Sequence, residues 1–167
     1  MSTKAFSVNL SVLQRYLSGW PYYAPSDYVL VSPYVTNPGY VLPPTFTFYA
    51  FTPIDAFRTG AVRSTDLAMT FSFKVAGLEL YVNPRVTNAL NNQAVINPDT
   101  TVYTRHEQNY LNWFDPFTET PKECPQGTTC KQADGYNWQK GPDFGKAVQP
   151  TDYQTPRTFM VNVGVRF

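Results

Sequence analysis

The last eleven residues, Arg157-Thr-Phe-Met-Val-Asn-Val-Gly-Val-Arg-Phe167, constrain the fold more than any other stretch. Phe159, Val161, Val163, Val165 and Phe167 are apolar, and the residues between them are polar or small apart from Met160. A period of two is the mark of a β-strand with one greasy and one wetter face. Chain termini usually fray, and a soluble protein rarely closes on its strongest strand and a terminal aromatic.

The same alternation occurs three more times. Phe6, Val8, Leu10 and Val12 alternate with Ser7, Asn9 and Ser11. Leu67, Met69, Phe71, Phe73 and Val75 alternate with Asp66, Ala68, Thr70, Ser72 and Lys74. Leu78, Leu80, Val82 and Val86 alternate with Glu79, Tyr81, Asn83, Arg85 and Thr87. Pro84 takes one apolar-face position and is expected at a bulge or the strand's weaker edge. Ala76-Gly77 separates the second and third strands and reads as a tight hairpin turn. The other connections, about Leu17 to Arg63 and Ala89 to Pro156, are long and rich in Pro, Tyr and Gly. Phe46-Thr-Phe-Tyr-Ala-Phe51 is a further aromatic segment, read as a strand or hairpin arm, a prolongation of strand two, or a packed loop.

Short turns at one end and long loops at the other are the habit of bacterial outer-membrane barrels, whose lipid-facing residues alternate with lumen-facing ones. Aromatics make up 16% of the chain and charged residues only 15%, which suits strands and aromatic belts. No run approaches the ~20 apolar residues of a membrane helix. The expected fold is therefore all-β: an antiparallel up-and-down sheet, the last about four strands of a transmembrane β-barrel, with two long extracellular loops. Loop parity then sends the terminal strand toward the periplasm. Asp66, Lys74, Glu79 and Arg85 are expected to face the lumen, because a Lys or Arg turned toward lipid at mid-depth costs about 2–4 kcal/mol.

Several function classes drop out. A net charge of +1 gives no nucleic-acid footprint. His106, the only histidine, reads as a solvated loop residue, and no catalytic constellation or cofactor motif accompanies it. Asp115, Glu119, Glu123, Asp134, Asp143 and Asp152 are scattered without EF-hand spacing, so no metal site is expected. Cys124 and Cys130 flank Pro-Gln-Gly-Thr-Thr, a spacing that could close a small disulfide loop in an oxidising compartment; the alternative is two free thiols. Tyr110, Trp113, Tyr136 and Trp138 lie in an aromatic-rich loop and are candidate ligand contacts; the alternative is a mini-core that keeps a long loop folded.

Further stretches resemble the end of a TonB-dependent receptor barrel. They are Ser18-Gly19 with Pro21-Tyr22, Pro33 to Tyr40, Asp55 to Thr59, Ser64 to Ala68, Val86 to Val95, Phe114 to Pro121, Lys140 to Gly145 and Tyr153 to Phe159. The closest subgroup is the Oar-like receptors. The resemblance spans nearly the whole chain and implies residues 1–167 of a 22-stranded barrel plugged by a separate N-terminal domain. The plug, the TonB box and the regulatory-like domain have no counterpart in these residues. The N-terminus also shows no secretory signal, so the chain is expected to be the C-terminal piece of a larger receptor.

The implied function is uptake of a nutrient or metal complex across the bacterial outer membrane by the whole receptor, without enzymatic activity. The implied partners are outer-membrane lipid, the rest of the barrel and plug, and TonB through regions outside this chain. The assembly machinery would read Phe159, Val161, Val163, Val165 and Phe167 as a β-signal, by adding a strand to an exposed edge. Alternatives are an adhesive or structural outer-membrane protein, a four-strand protomer of an oligomeric barrel, and a small soluble β-sheet binding module.

Overall fold

Strand alternation and turn chemistry lay out most of the chain. A computed structural model describes residues 6–36, 39, 41–42, 44–104 and 111–167. Both His106 and Tyr110 lie outside these residues. The described residues are all-β: β1 (Phe6–Leu17), β2 (Pro21–Tyr22), β3 (Pro25–Leu30), β4 (Phe46–Ala50), β5 (Phe57–Arg58), β6 (Val62–Val75), β7 (Leu78–Thr87), β8 (Val102–Tyr103), β9 (Glu123–Cys124), β10 (Trp138–Lys140) and β11 (Thr158–Arg166). The only helical pieces among them are two 3-10 turns, Gln132–Asp134 and Pro150–Asp152.

The single segment expected over residues 1–167 divides into two compact units. Met1–Gly19, Gly60–Ile96 and Gln149–Phe167 form the first; Trp20–Thr59 and Asn97–Val148 form the second. The reason is that the two long connections fold together around a core of their own.

The first unit is a four-stranded antiparallel sheet in the order β1-β6-β7-β11. Val75 pairs with Leu78 across the Ala76-Gly77 turn, where φ is 52° and 82°. Positive φ at both central residues is the type I′ hairpin, whose twist matches that of the flanking strands. Leu17 pairs with Val62 and Thr87 with Thr158, so both long connections leave and rejoin the sheet at one end. Among the described residues the outer edges of β1 and β11 carry no partner strand.

Pro84 departs from expectation. It sits in an inner strand opposite Val161, and no bulge forms: the β6–β7 register is the same on either side of it. Instead the ladder toward β6 is interrupted at Met69 and Thr70. Asn83 Nδ2 donates to Thr70 Oγ1 at 2.8 Å and bridges the gap left where proline has no N–H.

The second unit holds short pairings: β3 with β4, β2 with β5, and β10 between β8 and β9. The β3–β4 hairpin resolves the Phe46–Phe51 segment. It pairs with Pro25–Leu30 through a register irregularity, and prolongs no strand of the first sheet. Ala24, Trp138 and Phe144 form one buried cluster; Leu111, Cys124 and Cys130 form another. Phe51 stacks on Trp138 at 4.8 Å and meets Phe114 at 6.1 Å.

Candidate functional site

Directly paired residues share a sheet face, so the register sorts the first unit into two surfaces. One carries Phe6, Val8, Leu10 and Val12 on β1, and Phe73, Phe71, Met69 and Leu67 on β6. It continues through Leu80, Val82, Pro84 and Val86 on β7, and through Val165, Val163, Val161 and Phe159 on β11. This is a band of four apolar rungs across four strands with no polar side chain in it. Thr65, Arg63, Gln14, Tyr16 and Arg157 bound it toward the long connections. There the Arg63 guanidinium lies 5.7 Å from the Tyr16 ring, and Arg157 lies 5.7 Å from that of Phe159.

Among the described residues nothing in the first unit covers this band. Phe159, Val161 and Val163 are 70%, 63% and 74% exposed, and every residue of β1 is exposed. Among the described residues, the buried ones of this unit are Asp66, Asn88, Asp152 and Gln154, all polar, whereas the buried apolar side chains all belong to the second unit. Twelve of the sixteen band positions are exposed and Phe71, Val82, Pro84 and Val86 are half-buried. Fully covering one Val, Leu or Phe is worth about 1.5–3 kcal/mol, so the band forgoes on the order of ten kcal/mol or more. A contiguous exposed apolar surface of this kind marks a site of contact with a membrane, a partner or a ligand.

The opposite face is polar. It carries Asp66, Ala68, Thr70, Ser72 and Lys74 on β6, and Glu79, Tyr81, Asn83, Arg85 and Thr87 on β7. The four charged residues read from the sequence as lumen-facing all lie on this side. At its loop end Asp66 is a hub. Its carboxylate pairs with the Arg15 guanidinium and accepts from Ser64 Oγ at 2.7 Å and Asn88 N at 2.9 Å. Asn88 turns the chain out of β7 at φ 48°, a conformation asparagine tolerates better than most residues. Its amide donates to Asn92 O (3.0 Å) and Thr155 O (2.9 Å), and its oxygen accepts from Asn92 N (3.0 Å). Arg15, Ser64, Asp66, Asn88 and Thr155 line a cleft of about 340 Å³ with Thr87 and Gln154. Gln154 Nε2 donates to Arg63 O at 2.9 Å.

The candidate β-signal residues Phe159, Val161, Val163 and Val165 thus share the apolar face of an edge strand. Phe167 lies one residue beyond β11 and is 99% exposed. Its neighbours in the pattern present both alternate apolar side chains and a free backbone edge, the two things strand addition needs.

In the second unit Cys124 and Cys130 are joined in a disulfide, with Cα atoms 6.2 Å apart. Gln139, buried in β10, secures that loop from below: its Nε2 donates to Pro125 O at 2.9 Å and Thr128 O at 2.7 Å. The three candidate ligand contacts among the described residues, Trp113, Tyr136 and Trp138, do not form one site. Trp138 is 3% exposed and stacked in the core, so it is unavailable to a ligand, and Tyr136 packs against the Leu111 and disulfide cluster. Trp113 is 43% exposed; Tyr110 lies outside the described residues. Trp138 and Tyr136 hold the long connections together, because a unit of short strands must find its core in large aromatic side chains.

Sequence reasoning missed Asn88, Gln139 and Gln154, since a buried polar hub has no periodicity. The clue available was Asn88-Ala-Leu-Asn-Asn92, whose asparagines suit left-handed backbone; Asn91 also has φ 52°. Among the described residues no group of three or more His, Cys, Asp or Glu could hold a metal ion. No helix there is long and apolar enough to cross a membrane, which says nothing of crossing by strands. Comparisons with protein-family models, curated proteins and solved structures find no match.

Proposed function

We propose that this chain is the C-terminal part of a TonB-dependent outer-membrane receptor of the Oar-like subgroup, which as a whole imports a nutrient or metal complex. The observation that carries the membrane half of this reading is the uncovered apolar band beside a first unit whose buried residues are all polar. Lipid satisfies such a face, and a wet, polar lumen suits the opposite one. Each strand reaches far enough: β1, β6, β7 and β11 have 12, 14, 10 and 9 residues, against the ~9–11 a tilted membrane strand needs. Both long connections leave from one end, consistent with large extracellular loops and a short periplasmic turn. The receptor half rests on the sequence resemblance.

In this reading the open edges of β1 and β11 are filled by the remaining barrel strands, since lipid tolerates no unpaired sheet edge. Phe159, Val161, Val163, Val165 and Phe167 form the signal read by the assembly machinery. Deleting the gene should abolish energy-dependent uptake of one scarce nutrient or metal complex, while undiminished import of all such compounds would count against transport. Surface adhesion would then be the surviving outer-membrane role.

One observation favours a second reading, a barrel built from several four-strand copies. β1 and β11 match rung for rung, Phe6, Val8, Leu10 and Val12 against Val165, Val163, Val161 and Phe159, and they run in opposite directions. Sedimentation in detergent separates the two, because a discrete trimer or tetramer of this chain alone favours shared closure.

A further inference from the structure

The apolar band leaves one question of specificity open. A slip of β11 by one residue against β7 would turn Phe159, Val161, Val163 and Val165 to the polar side, and is strongly disfavoured. A slip by two would not. In one direction it returns every apolar side chain to the apolar face and sets Phe159, Val161, Val163 and Val165 opposite Pro84, Val82, Leu80 and Leu78; in the other, Phe159 would meet the polar Asn88. Some other feature must therefore choose among registers two residues apart.

Gly164 is that feature. It stands inside a strand otherwise rich in Val and Phe, where glycine is conformationally costly. Directly opposite it is Tyr81. A Cβ at 164 would lie 2.7 Å from Tyr81 Cε1 and closer still to Cζ and Oη, so the ring occupies the space that any side chain would need. Arg166, on the same face, places its guanidinium 5.9 Å from the Tyr81 ring and pairs with Glu79 at 3.8 Å. The ring is thus laid across the strand onto bare backbone and covered by a cation. Other β11 positions on this face are Thr158, Met160, Asn162 and Arg166. A two-residue slip would set Tyr81 opposite Asn162 or Arg166, each with a side chain where the ring lies. At the other end of β11, Arg157 N donates to Asn91 Oδ1 at 3.1 Å and Asn88 Nδ2 donates to Thr155 O at 2.9 Å, but these bonds hold residues before the strand begins and none within it.

We propose that Tyr81 and Gly164 form the register lock of the terminal strand: the aromatic ring seats on the one position of β11 that lacks a side chain. Tyr81 is a positioning residue, and the lock belongs to the sheet itself. It does not depend on what the protein transports, so it stands or falls apart from the receptor reading.

Engineered cysteine pairs test it in the full chain, folded in detergent micelles and mildly oxidised. N83C/N162C reports the native register and N83C/M160C reports the two-residue slip that sets Tyr81 opposite Asn162; the native disulfide is already closed. In the parent sequence only the first pair should crosslink, read by peptide mapping. Introducing Y81A or G164A should lower the native crosslink and raise the slipped one well above background. Y81F, which keeps the ring, should retain the native pattern, and G164A added to Y81A should cause little further change because the clash is gone. If Y81A prevents folding, neither crosslink forms in it, and G164A compared with Y81F then decides: a slipped crosslink in G164A but not in Y81F supports the lock, and native-only crosslinking in G164A overturns it. Native-only crosslinking in both Y81A and G164A overturns the proposal.

Discussion

Val163→Arg distinguishes a lipid-facing strand from a wet one with the largest expected signal. Val163 is 74% exposed on the third apolar rung of β11, between Val161 and Val165. At so open a position in water, an arginine should change stability by no more than about 0.5 kcal/mol. Facing lipid near mid-depth it should cost about 2–4 kcal/mol. At about 1.4 kcal/mol per tenfold, that is roughly a 30- to 1,000-fold loss in the folding equilibrium. Depth sharpens the test. Phe159 to Val165 spans about 20 Å along the strand, or about 15 Å across the bilayer at a tilt near 40°. Val161 and Val163 therefore lie in the middle of the band. Asn162→Arg, one residue away on the polar face, should cost almost nothing. The assay is equilibrium unfolding of the protein in phospholipid vesicles, comparing the three substitutions V161R, V163R and N162R with the parent. Equal stability of V163R and N162R would refute the assignment of faces to lipid and lumen.

Asn88→Ala removes three side-chain hydrogen bonds and leaves alanine at φ 48°, and should lower the stability of the first unit by about 3 kcal/mol in denaturant unfolding. Asn88→Gly should recover about 1 kcal/mol of that loss through the backbone alone. Reducing the Cys124–Cys130 bond, or replacing both residues by Ser, opens a loop with a separation of 6 residues and should cost about 2 kcal/mol, read as faster proteolysis within the second unit. Trp138→Ala should destabilise the second unit by about 3–5 kcal/mol in thermal unfolding. Trp113→Ala should stay within about 0.5 kcal/mol of the parent in the same experiment.

How far the residues could be read depended on whether their environment was periodic. The Ala76-Gly77 turn and the strand Leu78 to Thr87 were legible except for Pro84, because alternation and a two-residue loop leave one register but do not show that the proline lies in an inner strand. β1 runs five residues past Val12 to Leu17, and β6 begins four residues before Asp66. Alternation breaks there because the apolar side of the sheet turns polar at Gln14, Tyr16, Arg63 and Thr65, while Leu13 and Leu17 stand on the polar side. The second unit was not legible as a unit. Its core joins Ala24, Phe51, Trp138 and Phe144 from two separate stretches of chain, and several of its strands are two residues long. Pro25 opening β3 further disguised the partner of Phe46–Ala50. Of the candidate site, the alternating faces and the cysteine spacing were visible in the residues. The Asp66–Asn88 hub and the Tyr81–Gly164 contact arise only once the strands are brought side by side.

The most direct test of the lipid-facing band is a spin-label scan of β11. Nitroxides placed singly at positions 158 to 165, in protein reconstituted into phospholipid vesicles, report access to dissolved oxygen and to a water-soluble nickel complex. The account predicts a period of two: positions 159, 161, 163 and 165 open to oxygen and closed to nickel, and positions 158, 160, 162 and 164 the reverse. Uniform access of the nickel complex to all eight positions would contradict it.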